Sequence, residues 1–315
     1  MRSSTFILLC TVVAAFVFAA IRWVGNDYLF VAGYVVLQFI VLATAWNILG
    51  GYTGYVNFGS AAFFALGAYS SIFFNKAFPL PVPLLIVIGG VVSGIVGLGM
   101  GYLTLRLRGA FFAIGTLALA IVLQTLVTNW RYVGGARGAY VIRPGEIEFL
   151  GPYSQYLFLL MLALAVIALS IARGIERSQL GYGFATIRDD ELAAEASGVP
   201  TLRLKLIATT ISGGLMGMAG APFPYYLGYV QPSAAFGLEY AVNSIAMPMI
   251  GGTTSWVGPL IGAILLATLQ QWATVTISSE LGVLIVGVLL VSFVILAPKG
   301  IVGLVEGWRR KKAGS

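Results

Sequence analysis

Apolar residues recur along this chain in long blocks, and these blocks exclude most folds. A helix needs about 20 apolar residues to cross a bilayer core about 30 Å thick, and blocks of about that length follow one another along the sequence. Hydrophobic residues make up 59% of the chain and charged residues 9%, whereas soluble domains have about 25% charged residues. The sequence therefore predicts an all-α polytopic membrane protein with the whole chain, 1–315, in one transmembrane domain.

Glycine, proline and charge clusters divide the apolar sequence into about ten transmembrane spans, some of them short and broken or re-entrant. The predicted spans are 5–21, 28–49, 54–75, 83–105, 110–130, 154–173, 204–227, 238–252, 256–278 and 281–298. Within 238–278, the alternative is a single re-entrant element broken at its glycines. Arg22-Trp23 follows the first block in place of a small-residue cleavage site, so we expect a retained helix and no signal peptide.

Basic residues favour one side of the membrane. Ten spans place 13 of them on the side of both termini: Arg2, Arg106, Arg108, Arg173, Arg177, Arg188, Arg203, Lys205, Lys299, Arg309, Arg310, Lys311 and Lys312. The other side has five: Arg22, Lys76, Arg131, Arg137 and Arg143. Because cytoplasmic loops carry an excess of Lys and Arg, both termini are predicted to be cytoplasmic, with 299–315 as a basic tail.

Some residue types are scarce, and their scarcity excludes several classes of site. The chain has no histidine and one cysteine, Cys10, so it forms no intrachain disulfide and has no imidazole base or histidine metal ligand. We therefore expect no metal, no cofactor and no catalytic residue on this chain. Its topology accounts for the net charge of +7, so we expect contacts with membrane lipids and none with nucleic acid.

The stretch from Arg173 to Lys205, here called the charged loop, holds 10 of the 29 charged residues of the chain. Inside it, 189–198 is predicted to form a helix of about two turns. Asp189 or Asp190 provides an N-cap, and Gly198 suits the left-handed position after the last turn. An isolated helix this short is unstable in water. Its small alanine face could fit a groove on another protein, or the helix could simply join two spans.

Glycines and polar residues within the spans carry two further predictions. The GxxxG pairs Gly97/Gly101 and Gly213/Gly217 predict close helix packing. Polar residues in spans tend to face the interior, and six are candidates for a transport path, although each could instead bond a neighbouring helix: Thr53, Asn57, Ser60, Thr116, Gln124 and Asn243. The segments Gly50–Gly54 and 251–254 both read Gly-Gly-x-Thr, which suggests broken helices beside such a path.

Four segments, in order along the chain, resemble one family of transporters. The pattern E-x-A-A-x-A-x-G in 191–198 resembles the EAA loop of ABC importer permeases. The string IRDDELAAEASGVPTLRLK and the segments Asn47–Tyr69, Arg106–Ala120 and Met249–Leu269 resemble the M-type permease of branched-chain amino acid ABC importers. The resemblance covers about 28–305.

This resemblance implies a function, a set of partners and a role for the charged loop. The cytoplasmic loop 174–203 would present 189–198 as the coupling helix, which docks on an ATPase subunit and drives alternating access. The residues assigned to this contact are Arg188, Asp189, Asp190, Glu191, Ala193, Ala194, Ala196 and Gly198. The expected partners are two ATPase subunits that bind ATP and Mg²⁺, a second, H-type permease forming a heterodimer, and a periplasmic substrate-binding protein, all at the bacterial inner membrane.

The sequence leaves alternatives open for the transported substrate and for the energy source. Ser60 and Thr254 depart from the residues usual in the family, and related systems import urea, short amides or other small carboxylates. A secondary transporter driven by an ion gradient is a further alternative, but such proteins commonly place acids or histidines in mid-membrane. This chain has no histidine and few acids within its spans, which counts against that alternative.

Overall fold

The computed structural model describes residues 3–104, 107, 109–142, 152–276, 284, 287–289, 291–292 and 300–304. The principal helices in these ranges are α1 (Ser3–Val24), α2 (Asp27–Thr53), α3 (Ser60–Ala77), α4 (Val82–Thr104), α5 (Ala110–Asn129), α6 (Tyr153–Glu176), α7 (Gln179–Asp189), α8 (Glu191–Ala196), α9 (Thr201–Gly220), α10 (Phe223–Leu227), α11 (Pro232–Ala235), α12 (Leu238–Gly251) and α13 (Val257–Thr276). Two short strands, β1 (Ala139–Tyr140) and β2 (Tyr229–Val230), pair antiparallel.

The predicted all-α polytopic architecture is confirmed, but the number of spans is not. Among the described residues, seven helical segments are long and apolar enough to cross a membrane: 5–24, α2, α4, α5, α6, Thr201–Leu227 and α13. The predicted spans 54–75 and 238–252 correspond to α3 and α12, which are not among the seven. The span 281–298 lies largely outside the described residues.

Helix α2 forms the centre of the bundle. From Gln38 to Leu49 every residue of this helix is buried, and α6, α9, α12 and α13 pack around it. A helix that is apolar on all sides, as this one largely is, belongs in the interior of a bundle. By contrast, α5 buries only three of its residues, Phe112, Thr116 and Val127, and therefore lies at the periphery.

Glycines bring α3, α4 and α9 into backbone contact, as the sequence predicts. A Cβ on Gly67 of α3 would overlap the carbonyl group of Gly217 in α9, and a Cβ on Gly217 would overlap Ser93 of α4. One turn earlier in α9, a Cβ on Gly213 would lie 3.1 Å from the ring of Phe63. Small residues at such crossings replace the hydrophobic driving force that helices lack in lipid.

The bundle has two ends with different structures. The first, here called the loop end, carries α7, α8 and the turns 54–59 and 252–256; the second, the ribbon end, carries β1 and β2. Phe6 of α1 stacks edge-on against Trp256, with ring centroids 4.9 Å apart. Gly300 lies against the backbone of Gly252. The described residues nearest to the two termini therefore meet at the loop end.

The charged loop contains more regular structure than the sequence predicts. Helix α6 continues to Glu176, α7 follows at Gln179, and α9 begins at Thr201. The predicted seventh span is divided: α9 ends at Gly220, and Pro222 precedes the short helix α10. Proline lacks the N–H that a continuous helix would need there.

We expect Gly67→Ala to destabilise the bundle, because the added methyl group separates α3 from α9. Overpacking a tight interior costs about 1–3 kcal/mol, so the thermal midpoint of the purified protein in detergent should fall clearly. Gly99→Ala on α4 is the matched control, since a Cβ there has nothing within 4 Å. An equal effect of the two substitutions would contradict the packing described here.

Candidate functional site

Helix α8 is a short helix with well-defined ends. The carboxylate of Asp190 accepts hydrogen bonds from the backbone N–H groups of Leu192 and Ala193, at 2.9 and 3.0 Å. At the other end Gly198 has a φ of +82°, a conformation that glycine adopts without strain. The two predicted caps are therefore present, and they limit the helix to six residues.

A buried ion pair fastens α8 to the transmembrane helices. Lys205, in the second turn of α9, donates a hydrogen bond to Glu191 over 2.6 Å. The side chain of Lys205 is 3% exposed and that of Glu191 is 13% exposed. Tyr55 completes the cluster: its hydroxyl donates to the second carboxylate oxygen of Glu191 and accepts from Lys205 at 3.2 Å. We call Tyr55, Glu191 and Lys205 the anchor cluster.

The anchor cluster joins three separate parts of the chain. Tyr55 lies in the turn between α2 and α3, and its ring packs edge-on against Phe112 of α5, with centroids 5.0 Å apart. The ammonium of Lys205 lies 4.7 Å from the centroid of the Tyr55 ring, within the range of a cation–π interaction. Next to the anchor cluster, Gly54 packs so closely against α7 that an added Cβ would touch the side chain of Arg188, near the end of that helix. Helix α8 and the end of α7 are therefore in direct contact with the turn that follows α2.

A second set of contacts links the charged loop to the turn between α12 and α13. The carboxylate of Glu176, at the end of α6, accepts from the backbone N–H of Trp256 at 2.8 Å and from the Tyr52 hydroxyl at 3.4 Å. Arg173, one turn earlier, is buried and lies 3.9 Å from the ring centroid of Phe6. These contacts hold the ends of α1, α2 and α6 against the 252–256 turn.

The coupling residues predicted from the sequence divide into an inner and an outer group. Glu191 and Ala194 face the protein, and Asp190 caps the helix. Exposed at the surface are Arg188, Asp189, Ala193, Ala196 and Gly198. Leu192 and Tyr182, which were not among the residues predicted for this contact, are also strongly exposed, at 62% and 72%. The outer surface of α7 and α8 therefore combines small, apolar and charged side chains.

The turn 54–59 folds back into the bundle. Trp46, almost two turns before the end of α2, donates from its indole N–H to the carbonyl of Asn57 at 2.8 Å. Thr116 accepts from the N–H of Phe58, and the Asn57 side chain accepts from the N–H of Gly59. Buried irregular backbone needs such partners, because its N–H and C=O groups have no access to water.

The structure therefore separates the predicted path residues into groups. Thr53, Asn57, Ser60 and Thr116 lie together around the 54–59 turn, all buried, and the recorded bonds of Thr53, Asn57 and Thr116 stabilise local backbone. Asn243 lies elsewhere, on α12, where its side-chain oxygen accepts from Gln270 of α13 at 3.0 Å. Gln124 lies on the peripheral helix α5 and belongs to neither group.

The two Gly-Gly-x-Thr segments meet at the loop end. A Cβ on Gly51 would approach the carbonyl oxygen of Thr253 to 2.7 Å, so the end of α2 directly abuts the turn after α12. Gly251 and Gly258 pack equally closely where α12 and α13 cross.

Among the described residues, no group of three or more Cys, Asp or Glu is arranged to hold a metal ion. The chemistry of this site is ion pairing and hydrogen bonding.

Glu191→Gln should destabilise the protein, because it removes the negative charge that Glu191 places 2.6 Å from the buried Lys205 ammonium. Breaking a buried ion pair on one side costs about 3–5 kcal/mol. The double variant Glu191→Gln, Lys205→Met removes both charges and should recover most of the loss. Thermal unfolding of the purified protein measures both effects. Asp189→Asn, at a 75% exposed side chain, should change little, and an equal loss there would contradict the role of the anchor cluster.

Comparison with known proteins identifies the family. A family model described as branched-chain amino acid transport system / permease component matches residues 28–294. The high-affinity branched-chain amino acid transport system permease protein LivM of Salmonella typhimurium is 29% identical over an alignment of 301 positions, which covers 88% of this chain and 70% of that protein.

More distant relatives have related names. The probable branched-chain amino acid transport permease protein LivH of Methanocaldococcus jannaschii is 22% identical, covering 82% of this chain and 86% of that protein. The autoinducer 2 import system permease protein LsrC of Enterobacter sp. strain 638 is 26% identical, covering 62% and 57%. No solved structure matches. Because the family model spans most of the sequence, the chain belongs to the branched-chain amino acid transport system permease family, whose members are multi-pass membrane transport proteins and not enzymes.

Proposed function

We propose that this chain is a permease subunit of an ATP-driven importer for branched-chain or related hydrophobic amino acids, and that ATPase subunits drive it through α8. One observation supports the proposal that α8 transmits force: α8 is anchored on its inner side by a buried ion pair and is exposed to solvent on its outer side. A linker that only joined α7 to α9 would need neither feature.

The outer side of α8 has the chemistry of a docking surface. Exposed apolar side chains next to small and charged ones, outside the lipid, are typical of protein contacts. Leu192 protrudes from α8 and Tyr182 from α7, while Ala193 and Ala196 leave room for a close approach. Aromatic anchors in a small, water-excluded contact commonly dominate such interfaces. We therefore assign this surface to the ATPase subunit, which binds ATP and Mg²⁺.

The inner side of α8 provides the route by which force would reach the membrane. Glu191 and Tyr55 connect α8 to the 54–59 turn, and Glu176 connects the end of α6 to the 252–256 turn. ATP shifts the equilibrium between two transporter states only through contacts that differ between them. A rigidly anchored α8 would transmit such a difference to both turns, where broken helices border the interior of the bundle.

The proposed function also implies a set of partners and an orientation in the membrane. The chain would pair with a second, H-type permease, bind two ATPases at the loop end and receive solute from a periplasmic binding protein at the ribbon end. The loop end, with the described residues nearest to both termini, would then be cytoplasmic, in agreement with the excess of basic residues there. The family description favours branched-chain amino acids as cargo, while one relative is named for autoinducer 2.

Ala193→Glu should prevent docking while leaving the permease folded, since Ala193 is exposed and a larger charged side chain would obstruct the close approach of a partner. We expect loss of the ATPase subunits that co-purify with the wild-type chain, loss of ATP-driven leucine uptake in proteoliposomes, and an unchanged thermal midpoint. Gln179→Glu is the control: it adds the same charge to an exposed position of the same loop, on α7.

Two results would contradict the proposal. If no ATPase co-purifies with the wild-type chain, or if Ala193→Glu and Gln179→Glu retain it equally, α8 is not the docking helix. If the chain alone transports leucine in proteoliposomes under an ion gradient, without any ATPase, the permease is a secondary transporter.

A further inference from the structure

A cavity of about 700 Å³ lies between α2, α10, α12 and α13. It occupies the half of the bundle remote from α8, since it is bordered by the first turns of α12, the last turns of α13 and the first half of α2. Its volume falls within the range of about 300–1,000 Å³ that is usual for small-molecule sites. The anchor cluster and both turns of the loop end lie outside it.

The walls of the cavity are mainly apolar. Val35 and Phe39 of α2 and Leu238 of α12 contribute aliphatic and aromatic surface. Burial of an apolar group against such surface is favourable by about 25 cal/mol for each Å² removed from water. The cavity would therefore retain a solute with a hydrocarbon portion.

Amide side chains from three helices line the cavity: Gln38 of α2, Asn243 of α12 and Gln270 of α13. Asn243, which is 7% exposed, accepts from Gln270, and this bond fixes the orientation of both amides. Gln38 is 2% exposed, and its amide nitrogen lies 3.5 Å from the Tyr34 hydroxyl and from the carbonyl of Ala219. Bonds of this length are weak, so the Gln38 amide retains the capacity to bind a solute carboxylate or carbonyl.

A single charged residue lines the cavity among the described residues. Glu239, in the first turn of α12, contributes its carboxylate, and no lysine or arginine is part of the described lining. An ammonium group is attracted to such a site, while a free carboxylate with no positive group is repelled. The lining therefore selects for charge as well as for shape.

We propose that this cavity is a solute-binding site of the permease itself, and that Glu239 binds the ammonium group of an amino acid whose apolar side chain lies against Val35, Phe39 and Leu238. The amides of Gln38 and Gln270 face the carboxylate of the solute. The proposal rests on the proposed function and deepens it, because it distinguishes amino acids from carboxylates that lack an amine.

A protection experiment tests the site without relying on transport. In a Cys10→Ala background, Leu238→Cys places a thiol on the cavity wall, at a position that is exposed. We expect leucine and leucinamide, which carry an ammonium group, to slow the reaction of this thiol with a maleimide. The deaminated analogues 4-methylpentanoate and 4-methylpentanamide should give little protection.

A second acid provides the matched control. Glu239→Gln should weaken protection by leucine by about tenfold or more, the expected loss for a hydrogen bond to a charged group. Asp27→Asn removes the corresponding acid from the first turn of α2, outside the cavity, and should leave protection unchanged. Thermal midpoints of both variants show whether either has unfolded.

The outcomes separate this proposal from the proposed function. Equal protection by leucine and 4-methylpentanoate, unchanged protection in Glu239→Gln, or no protection at all would overturn the site, even in a complex that imports leucine normally. Protection that depends on Glu239, in a chain that neither binds ATPases nor supports ATP-driven uptake, would support the site and contradict the proposed importer.

Discussion

The ion pair between Glu191 and Lys205 is the interaction on which the loop end depends. A lysine buried next to the membrane domain is tolerated only with a counter-charge, because an unpaired buried charge costs several kcal/mol. Glu191 provides that charge from α8, and Tyr55 bonds to both partners. A helix too short to be stable alone is thereby held in one position. In the proposed function, this fixed position is what allows α8 to transmit force as well as to connect α7 to α9.

Close backbone packing extends this constraint into the bundle. Lys205 belongs to α9, and α9 crosses α3 and α4 through glycines that leave no room for a side chain, such as Gly67 and Gly217. Tyr55 belongs to the turn after α2, the helix at the centre of the bundle. Since packed interiors rearrange between discrete arrangements more readily than they deform, a displacement of α8 has few ways to be absorbed locally. We expect it to reach the 54–59 and 252–256 turns.

The sequence predicts what depends on local patterns and leaves open what depends on tertiary contacts. The spans 83–105 and 110–130 agree with α4 and α5 within one residue at each end, because proline, glycine and arginine bound these apolar blocks. The caps of α8 are equally local. The anchor cluster could not be predicted, since Tyr55 and Glu191 are 136 positions apart. The inward direction of Ala194 in α8 depends on the same packing.

The most direct test of the central claim is whether α8 and the 54–59 turn move as one body. Spin labels can be placed in a Cys10→Ala background at Ser197, the C-cap of α8, and at Val56 in the 54–59 turn, both of which are exposed. This pair measures the distance between α8 and the turn. A second pair, at Ser197 and Tyr140, measures the distance between α8 and the ribbon end. Between the nucleotide-free and ATP-bound transporter, we predict an unchanged Ser197–Val56 distribution and a shifted Ser197–Tyr140 distribution. A Ser197–Val56 distance that changes with nucleotide would contradict rigid transmission through the anchor cluster.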